Sequence, residues 1–249
     1  MRLLRIFSWV LAVGVAGWTS PAVAAEALVA AASNFSQALE NLQREFETNS
    51  GHKLKISLGS TGKLYAQIVN GAPFDVFLSA DQERAEKLEQ AGKAAPGSRF
   101  TYAVGRLVLW HPGGKSGRAV LEAGGLRNLA IAHPDLAPYG TASVETLERL
   151  GMKERLTDKL VIGENIGQTF AFVASGNAEA GFVAASQLAQ REEPEEAIWA
   201  VPPEMHSPIL QDAVLLARGQ SNPAAAAFFR FLQSPEARTI IRASGYALD

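Results

Sequence analysis

Short apolar segments alternate with amphipathic segments along most of this sequence, and this alternation restricts its fold more than any other feature. Residues 27–32 suit a buried strand, and the apolar residues after them recur at spacings of three and four, as in an amphipathic helix. The same two patterns return at residues 54–68 and again at residues 74–92. Three strand–helix units in succession predict a parallel sheet with helices on its faces.

A second series of strand–helix units begins at residue 129, after a strand at residues 106–110 and a loop rich in glycine. Near the end of the chain, residues 209–217 are apolar and strand-like, and two helices follow, each opened by Ser with Pro close behind. Such a tail can return to the first half of the chain. We therefore predict two α/β lobes joined by two crossings, with lobe I formed by residues 26–104 plus 207–249 and lobe II by residues 105–206.

The N-terminus has the three parts of a secretory signal peptide. Arg2 and Arg5 precede a mostly apolar stretch at residues 6–18, and Ala22-Val23-Ala24 is a small-residue cleavage pattern. The apolar stretch is shorter than the ~20 residues that a membrane-spanning helix needs. The sequence predicts a signal peptide over residues 1–25, cleavage near Ala24 or Ala25, and a protein that is exported from the cytoplasm.

Composition argues against several functional classes. The formal net charge of −2 offers no basic surface for nucleic acid, and we expect no nucleic-acid partner. The chain has no Cys and only four scattered His, which excludes the usual ligand spacings of zinc and iron–sulfur sites. We expect no cofactor.

Hydroxyl and amide side chains occupy the predicted strand-to-helix turns. The first turn carries Ser33 and Asn34, and the second carries Ser60 and Thr61; neither turn contains a Lys or Arg until Lys63. In open parallel sheets ligands bind at the carboxyl ends of the strands, where helix N-termini favour anions. The pattern indicates an anion site built from neutral donors, with ordinary helix caps as the alternative. In the second series of units, equivalent turns contain Tyr139, Asn165 and Ile166.

A secreted serine hydrolase is the alternative from a different functional class. Ser60 and Lys63 match the S-x-x-K pattern of penicillin-binding proteins and β-lactamases, and Lys115-Ser116-Gly117 resembles their K-T-G element. In that family, however, the K-T-G element comes last, whereas here it precedes the only loose match to the remaining element, at Ser175-Gly176-Asn177. The order of the elements therefore argues against this enzyme.

Several motifs resemble those of periplasmic molybdate-binding proteins, members of the type II periplasmic binding protein family that serve molybdate ABC transporters. The strongest is N-G-A-P-F-D-V-F-L-S-A-D at residues 70–81. It is accompanied by A-A-S-N-F at 31–35, G-S-T-G-K-L-Y-A-Q-I at 59–68, E-N-I-G-Q at 164–168 and A-S-G-Y at 243–246. The resemblance covers essentially the whole exported chain.

The resemblance implies a two-lobed α/β fold, each lobe a mostly parallel sheet flanked by helices, with molybdate or tungstate held in the cleft between the lobes. It implies a monomeric binding protein, not an enzyme, that delivers the ion to a membrane permease and binds molybdenum only as the oxyanion.

Some relatives use a Tyr at the position of Ala184, so this chain resembles the branch that uses Tyr139 instead. Ser60 and Thr61 remain alternatives for the hydroxyl that faces the ion. A receptor for another oxyanion such as sulfate, or for ferric iron, stays open because those proteins share the fold type. The positions that the resemblance assigns to the ligand are Ser33, Asn34, Ser60, Thr61, Tyr139, Asn165 and Ile166.

Overall fold

The computed structural model describes residues 24–114, 117–123 and 125–248. Nearly all of the predicted signal peptide, and Lys115 and Ser116 of the K-T-G-like segment, lie outside the described residues.

Within the described residues, ten strands and nine α-helices form. The strands are β1 (Glu26–Ala32), β2 (Lys53–Gly59), β3 (Val76–Leu78), β4 (Phe100–Gly105), β5 (Leu107–Trp110), β6 (Leu129–Ala132), β7 (Leu160–Gly163), β8 (Ala180–Ala184), β9 (Ile198–Ala200) and β10 (Ile209–Leu215). The helices are α1 (Ser36–Ser50), α2 (Thr61–Val69), α3 (Glu83–Gln90), α4 (Gly117–Glu122), α5 (Pro138–Arg149), α6 (Lys153–Leu156), α7 (Ile166–Ala174), α8 (Pro223–Phe231) and α9 (Pro235–Ala243).

The strands form two five-stranded sheets. The first has the order β2-β1-β3-β10-β4 and the second has the order β7-β6-β8-β5-β9. In the first sheet β10 pairs antiparallel with both of its neighbours, and in the second sheet β5 does so. The other four strands of each sheet therefore point the same way, which confirms the predicted two-lobed α/β fold. Each sheet and the helices packed on it form one lobe.

Two crossings connect the lobes. β4 ends at Gly105 in the first sheet and β5 begins at Leu107 in the second, so Arg106 alone separates them. The chain returns between β9 and β10. The strand that enters each sheet after a crossing, β5 or β10, is the antiparallel one, because it runs away from the edge of the sheet where the lobes meet.

Helices cover both faces of the first sheet, as its periodic apolar residues require. Leu39 and Phe46 of α1 pack with Phe228 of α8 and Ile241 of α9 on one face. Leu64 and its neighbours in α2 and α3 cover the other. The second lobe repeats this arrangement with two further apolar clusters. Burial on both faces leaves the strand ends as the place where polar groups can gather.

No helix in the described part of the chain is both long enough and apolar enough to span a membrane.

Candidate functional site

The seven predicted site residues line one small cavity between the lobes. The cavity lies where β1, β2, β3, β6 and β7 end, and its volume is about 10 Å³. Pockets for drug-sized ligands start at about 300 Å³, so this cavity is restricted to a very small ligand. None of its described lining residues has a charged side chain. They are Ala32, Ser33, Asn34, Gly59, Ser60, Thr61, Ala80, Ala137, Pro138, Tyr139, Asn165 and Ile166.

Helix α2 directs one free backbone N–H group toward this cavity from the first lobe. The Gly62 N–H donates across the cleft to the Leu136 carbonyl oxygen at 2.9 Å, and the Lys63 N–H donates to Ser60 Oγ at 3.4 Å. The first N–H groups of a helix have no partner inside the helix. Among the described residues nothing accepts from the Thr61 N–H, which is the donor left at this helix end.

Helix α7 leaves one N–H group in the same way. The Gly167 N–H donates across the cleft to Ser33 Oγ at 3.1 Å, and the Gln168 N–H donates to the capping oxygen Asn165 Oδ1 at 3.0 Å. The Ile166 N–H has no acceptor within the part of the chain that is described. Asn165 therefore acts as the cap of α7, and Ile166 supplies its remaining first-turn donor.

Helix α5 presents Tyr139. Pro138 occupies the first helical position and has no N–H, while the Gly140 N–H donates to the Ala137 carbonyl at 2.8 Å. Within the described residues, the Tyr139 N–H is thus the first-turn donor that remains. Gly140 allows α5 to approach β6 closely, because a Cβ atom there would lie 2.3 Å from the Ala132 carbonyl oxygen.

The hydroxyl groups around the cavity already accept one hydrogen bond each. Thr61 Oγ1 accepts from the Ala80 N–H at 3.2 Å, and Ser60 Oγ accepts from Lys63 as described above. A hydroxyl that accepts in one direction can still donate its own proton in another. Ser33 Oγ donates to Asn165 Oδ1 at 3.0 Å, so in this structure its proton forms a hydrogen bond between the lobes.

Behind the cavity lies a buried polar network that the sequence analysis did not assign. Asn34 Nδ2 donates to Gln211 Oε1 at 2.8 Å and to the Tyr246 hydroxyl at 3.0 Å. The Tyr246 hydroxyl in turn donates to the Asn34 carbonyl at 2.7 Å, and Ser186 Oγ donates to the same carbonyl at 3.1 Å. The signals available in the sequence were a polar Gln inside an apolar strand and the Tyr of the closing A-S-G-Y motif.

The Tyr139 side chain also extends into this network. Its hydroxyl lies 3.4 Å from Gln211 Nε2, and both atoms pack over Gly105, the last residue of β4. Burial raises the pKa of Tyr139 well above its usual range, and burial does the same for Tyr102 and Tyr246. These hydroxyls are therefore neutral donors and acceptors at neutral pH.

A salt bridge lies beside the cavity and joins the two lobes. Lys63 Nζ is 2.9 Å from Glu164 Oε1, and both side chains are about half exposed. The ammonium group that the serine hydrolase alternative would use beside Ser60 is thus paired with a carboxylate of the other lobe. A further contact between the lobes runs from Arg84 Nη2 to the Asp135 carbonyl at 2.7 Å.

The described residues contain no group of three or more His, Asp or Glu side chains that could hold a metal ion. What the cavity can do chemically is donate hydrogen bonds from neutral groups of both lobes to a small anion.

Comparison with known proteins places the chain in a family. The family model for bacterial extracellular solute-binding proteins matches residues 27–247. The chain belongs to this family. Membership confirms the predicted binding protein and favours it over the serine hydrolase alternative.

Individual members of the solute-binding family match closely. The molybdate-binding protein ModA of Azotobacter vinelandii is 47% identical over 96% of this chain and 97% of its own. The ModA of Rhodobacter capsulatus is 44% identical over 94% of this chain and 93% of its own. The solved structure of the Azotobacter vinelandii periplasmic molybdate-binding protein superposes with a TM-score of 0.85 at 42% identity, covering 90% of this chain and 99% of that one.

Proposed function

We propose that this solute-binding protein captures molybdate and tungstate in the periplasm and delivers them to the membrane permease of an ABC transporter. One observation carries the proposal: residues from five separate strand ends line one small cavity with neutral donors only. The similarity to two molybdate-binding proteins above 40% identity supports the choice of ion.

The proposed cage consists of backbone N–H groups and hydroxyls. The backbone donors belong to Asn34, Thr61, Tyr139 and Ile166, and the hydroxyls belong to Ser33 and to Ser60 or Thr61. Hydrogen bonds to a charged group contribute roughly 1.5–3 kcal/mol each. About six of them can outweigh desolvation and lobe closure, so that a net binding free energy of about −8 to −12 kcal/mol, micromolar to nanomolar affinity, is within reach.

Neutral, fixed donors discriminate between anions by size and protonation. Sulfate has the same charge as molybdate but is smaller, so it cannot reach donors of both lobes together. Phosphate carries a proton at neutral pH, and a cage made mainly of backbone N–H groups, which can only donate, offers few acceptors for that proton. Ferric iron would need Tyr, His or carboxylate ligands, and the cavity lining presents mainly hydroxyls and amides.

The remaining parts of the proposal concern the whole protein. We propose that residues 1–25 direct export and are cleaved near Ala24 or Ala25, and that the protein works as a monomer without a cofactor or nucleic acid. Residues 26–104 plus 207–249 and residues 105–206 are the proposed moving units. The chain passes from the first sheet to the second at Arg106 and returns between β9 and β10, which supports this division.

Isothermal titration of the chain without its signal peptide, dialysed into buffer free of oxyanions, tests the proposal. Molybdate, tungstate, sulfate and phosphate are added in separate titrations. We expect tight one-to-one binding of the first two ions and no heat from the others. Heat from sulfate with none from molybdate or tungstate would keep the fold and overturn the ligand.

A further inference from the structure

Gln211 occupies a position between the two halves of the candidate site. It belongs to β10, the strand that returns from the second lobe to the first, and its side chain is fully buried. The pairing of β10 with β4 shifts register between Gln211 and Asp212. Its amide touches Asn34 of the first lobe and Tyr139 of the second, so one side chain contacts cavity residues on both sides of the cleft.

The neighbours of Gln211 define which way its amide points. The oxygen Oε1 accepts from Asn34 Nδ2 at 2.8 Å and from the Tyr102 hydroxyl at 3.1 Å. Both of those groups can donate, so the acceptor end of the amide faces them. The donor end, Nε2, faces the Tyr139 hydroxyl at 3.4 Å.

This orientation determines the direction of the Tyr139 proton. A phenol that accepts from Gln211 Nε2 must send its own proton to another acceptor. Asn34 Oδ1 is buried and has no hydrogen-bond partner among the described residues. Gln211 thus makes Tyr139 a donor toward this oxygen, and it holds the Asn34 side chain in place.

We propose that Gln211 is a positioning residue for the anion cavity: it holds Asn34 and Tyr139 in the arrangement that faces the anion and keeps the wall behind them uncharged. The inference rests on the proposed oxyanion function and adds to it a residue outside the cavity lining.

The variant Gln211→Glu separates the two properties of the amide. An ionised carboxylate accepts hydrogen bonds but cannot donate one to Tyr139, and it adds a negative charge behind a dianion. A protonated carboxyl group has one donor and one acceptor, as the amide does. Burial raises the pKa of a carboxyl group, so the variant is expected to change between these forms near neutral pH.

The surroundings contain few other groups that titrate in this range. The titratable side chains around Gln211 are Tyr102, Tyr139 and Tyr246, and burial raises the pKa of all three. The carboxylate of the neighbouring Asp212 accepts hydrogen bonds from Arg99 Nη1 at 2.7 Å and from the Thr101 hydroxyl at 2.6 Å.

The test measures molybdate affinity of the full exported chain between pH 5.5 and 8.5, where molybdate remains a dianion. We expect a nearly constant affinity for the wild type. For Gln211→Glu we expect binding roughly 10- to 150-fold weaker at the upper end of the range, the equivalent of one lost charge-assisted hydrogen bond. The affinity should recover toward the wild-type value as the pH falls, which a purely structural defect would not produce.

Gln168→Glu is the matched control. It adds the same charge in the first turn of α7, where Gln168 Oε1 accepts from the Glu164 N–H and a carboxylate can do the same. We expect it to change affinity less than threefold and without recovery at low pH. An equal loss in both variants would mean that charge alone is responsible and would overturn the inference.

A second variant keeps the test decisive if Gln211→Glu does not fold at high pH. Gln211→Met has a similar volume and cannot hydrogen-bond, so we expect about 10-fold weaker binding at every pH with a cooperative melting transition. Wild-type affinity in this variant, or in Gln211→Glu at pH 8.5, would overturn the inference about Gln211 but not the proposed function. A wild-type chain that binds neither molybdate nor tungstate would overturn the proposed function, and the inference with it.

Discussion

Ser33 and Asn165 lie 132 positions apart in the chain and meet across the cleft, with Ser33 Oγ 3.0 Å from Asn165 Oδ1. Ser33 Oγ also accepts the Gly167 N–H from the first turn of α7. One hydroxyl of the first lobe thus connects the cavity to the capped helix end of the second.

Replacing Ser33 with Ala removes this hydroxyl and leaves the Gly167 N–H without its acceptor. We expect molybdate binding to weaken by about 1–3 kcal/mol while the protein stays folded. Titration calorimetry and a thermal melt of the ligand-free protein measure the two effects separately. The control is Ser234→Ala, which removes the cap of α9 far from the cavity. That variant should lose about 1 kcal/mol of stability and keep its affinity.

Thr61→Val tests the hydroxyl at the start of α2. Valine keeps the shape of threonine but removes both the hydroxyl proton, a candidate donor to the anion, and the acceptor of the Ala80 N–H. We expect binding to weaken by about 1–3 kcal/mol. Ser60→Ala is the comparison, since Ser60 caps the same helix. Wild-type affinity in Thr61→Val together with weaker binding in Ser60→Ala would assign the ligand hydroxyl to Ser60, and wild-type affinity in both would contradict the site.

Three buried tyrosines predict a loss of stability at alkaline pH. Burial raises the pKa of Tyr102, Tyr139 and Tyr246 in the folded protein above the value of about 10 in an unfolded chain. Their contribution is fully present below pH 10. Above pH 10 the unfolded chain releases these protons first, so the free energy of unfolding falls with a slope of up to about 1.4 kcal/mol per pH unit for each tyrosine.

Urea unfolding at several pH values from 8 to 11 measures this slope. Lysines titrate in the same range, so the informative quantity is the difference between the wild type and Tyr246→Phe. The free energy of unfolding of the variant should fall less steeply with pH than that of the wild type, by up to about 1.4 kcal/mol per pH unit, the effect of one proton. Identical slopes would mean that Tyr246 does not keep its proton in the folded state.

The sequence was sufficient to predict what depends on local patterns. Apolar periodicity predicted β1, α1, β2 and α2, and hydroxyl residues in two successive turns indicated the first-lobe half of the cavity. Strands with weak local patterns were missed. β9 has only three residues, and β4 has β10, more than a hundred positions later, as its strand partner.

The network behind the cavity could not be predicted for a related reason. Asn34 contacts Gln211 and Tyr246 over separations of 177 and 212 positions, and no spacing pattern marks such a contact. Gln211 stands out as polar in an apolar strand, but its partners follow only from the fold. The resemblance to a known family supplied Tyr139 as a site residue, whereas the direction of its hydroxyl depends on the packing over Gly105.

Gly140→Ala tests the close approach of α5 to β6. The added Cβ atom would lie 2.3 Å from the Ala132 carbonyl oxygen, so the backbone must shift, and the Tyr139 N–H shifts with it. We expect a loss of about 1–3 kcal/mol in stability, the usual cost of overpacking, together with weaker molybdate binding. Gly125→Ala is the control, because nothing lies within 4 Å of its Cβ position. Similar melting temperatures for the two variants would contradict the close contact between helix and strand.

The Lys63–Glu164 salt bridge predicts an effect on association rate more than on stability. Both side chains are about half exposed, and such pairs contribute about 0–1 kcal/mol to stability. Each of the two side chains nevertheless carries a full charge close to the cavity that the dianion is proposed to enter. At roughly 10 Å in water a unit charge changes the energy of a dianion by about 0.8 kcal/mol, close to fourfold in local concentration.

Glu164→Gln should therefore accelerate molybdate association, and Lys63→Gln should slow it, each by a few-fold at low salt. Stopped-flow tryptophan fluorescence measures both rates, and the difference should shrink as ionic strength rises because salt screens exposed charges. Lys53, which is exposed and pairs with the partly buried Glu47 within the first lobe, supplies the control. If Lys53→Gln slows association as much as Lys63→Gln does, the effect belongs to the net charge of the protein and not to the charges beside the cavity.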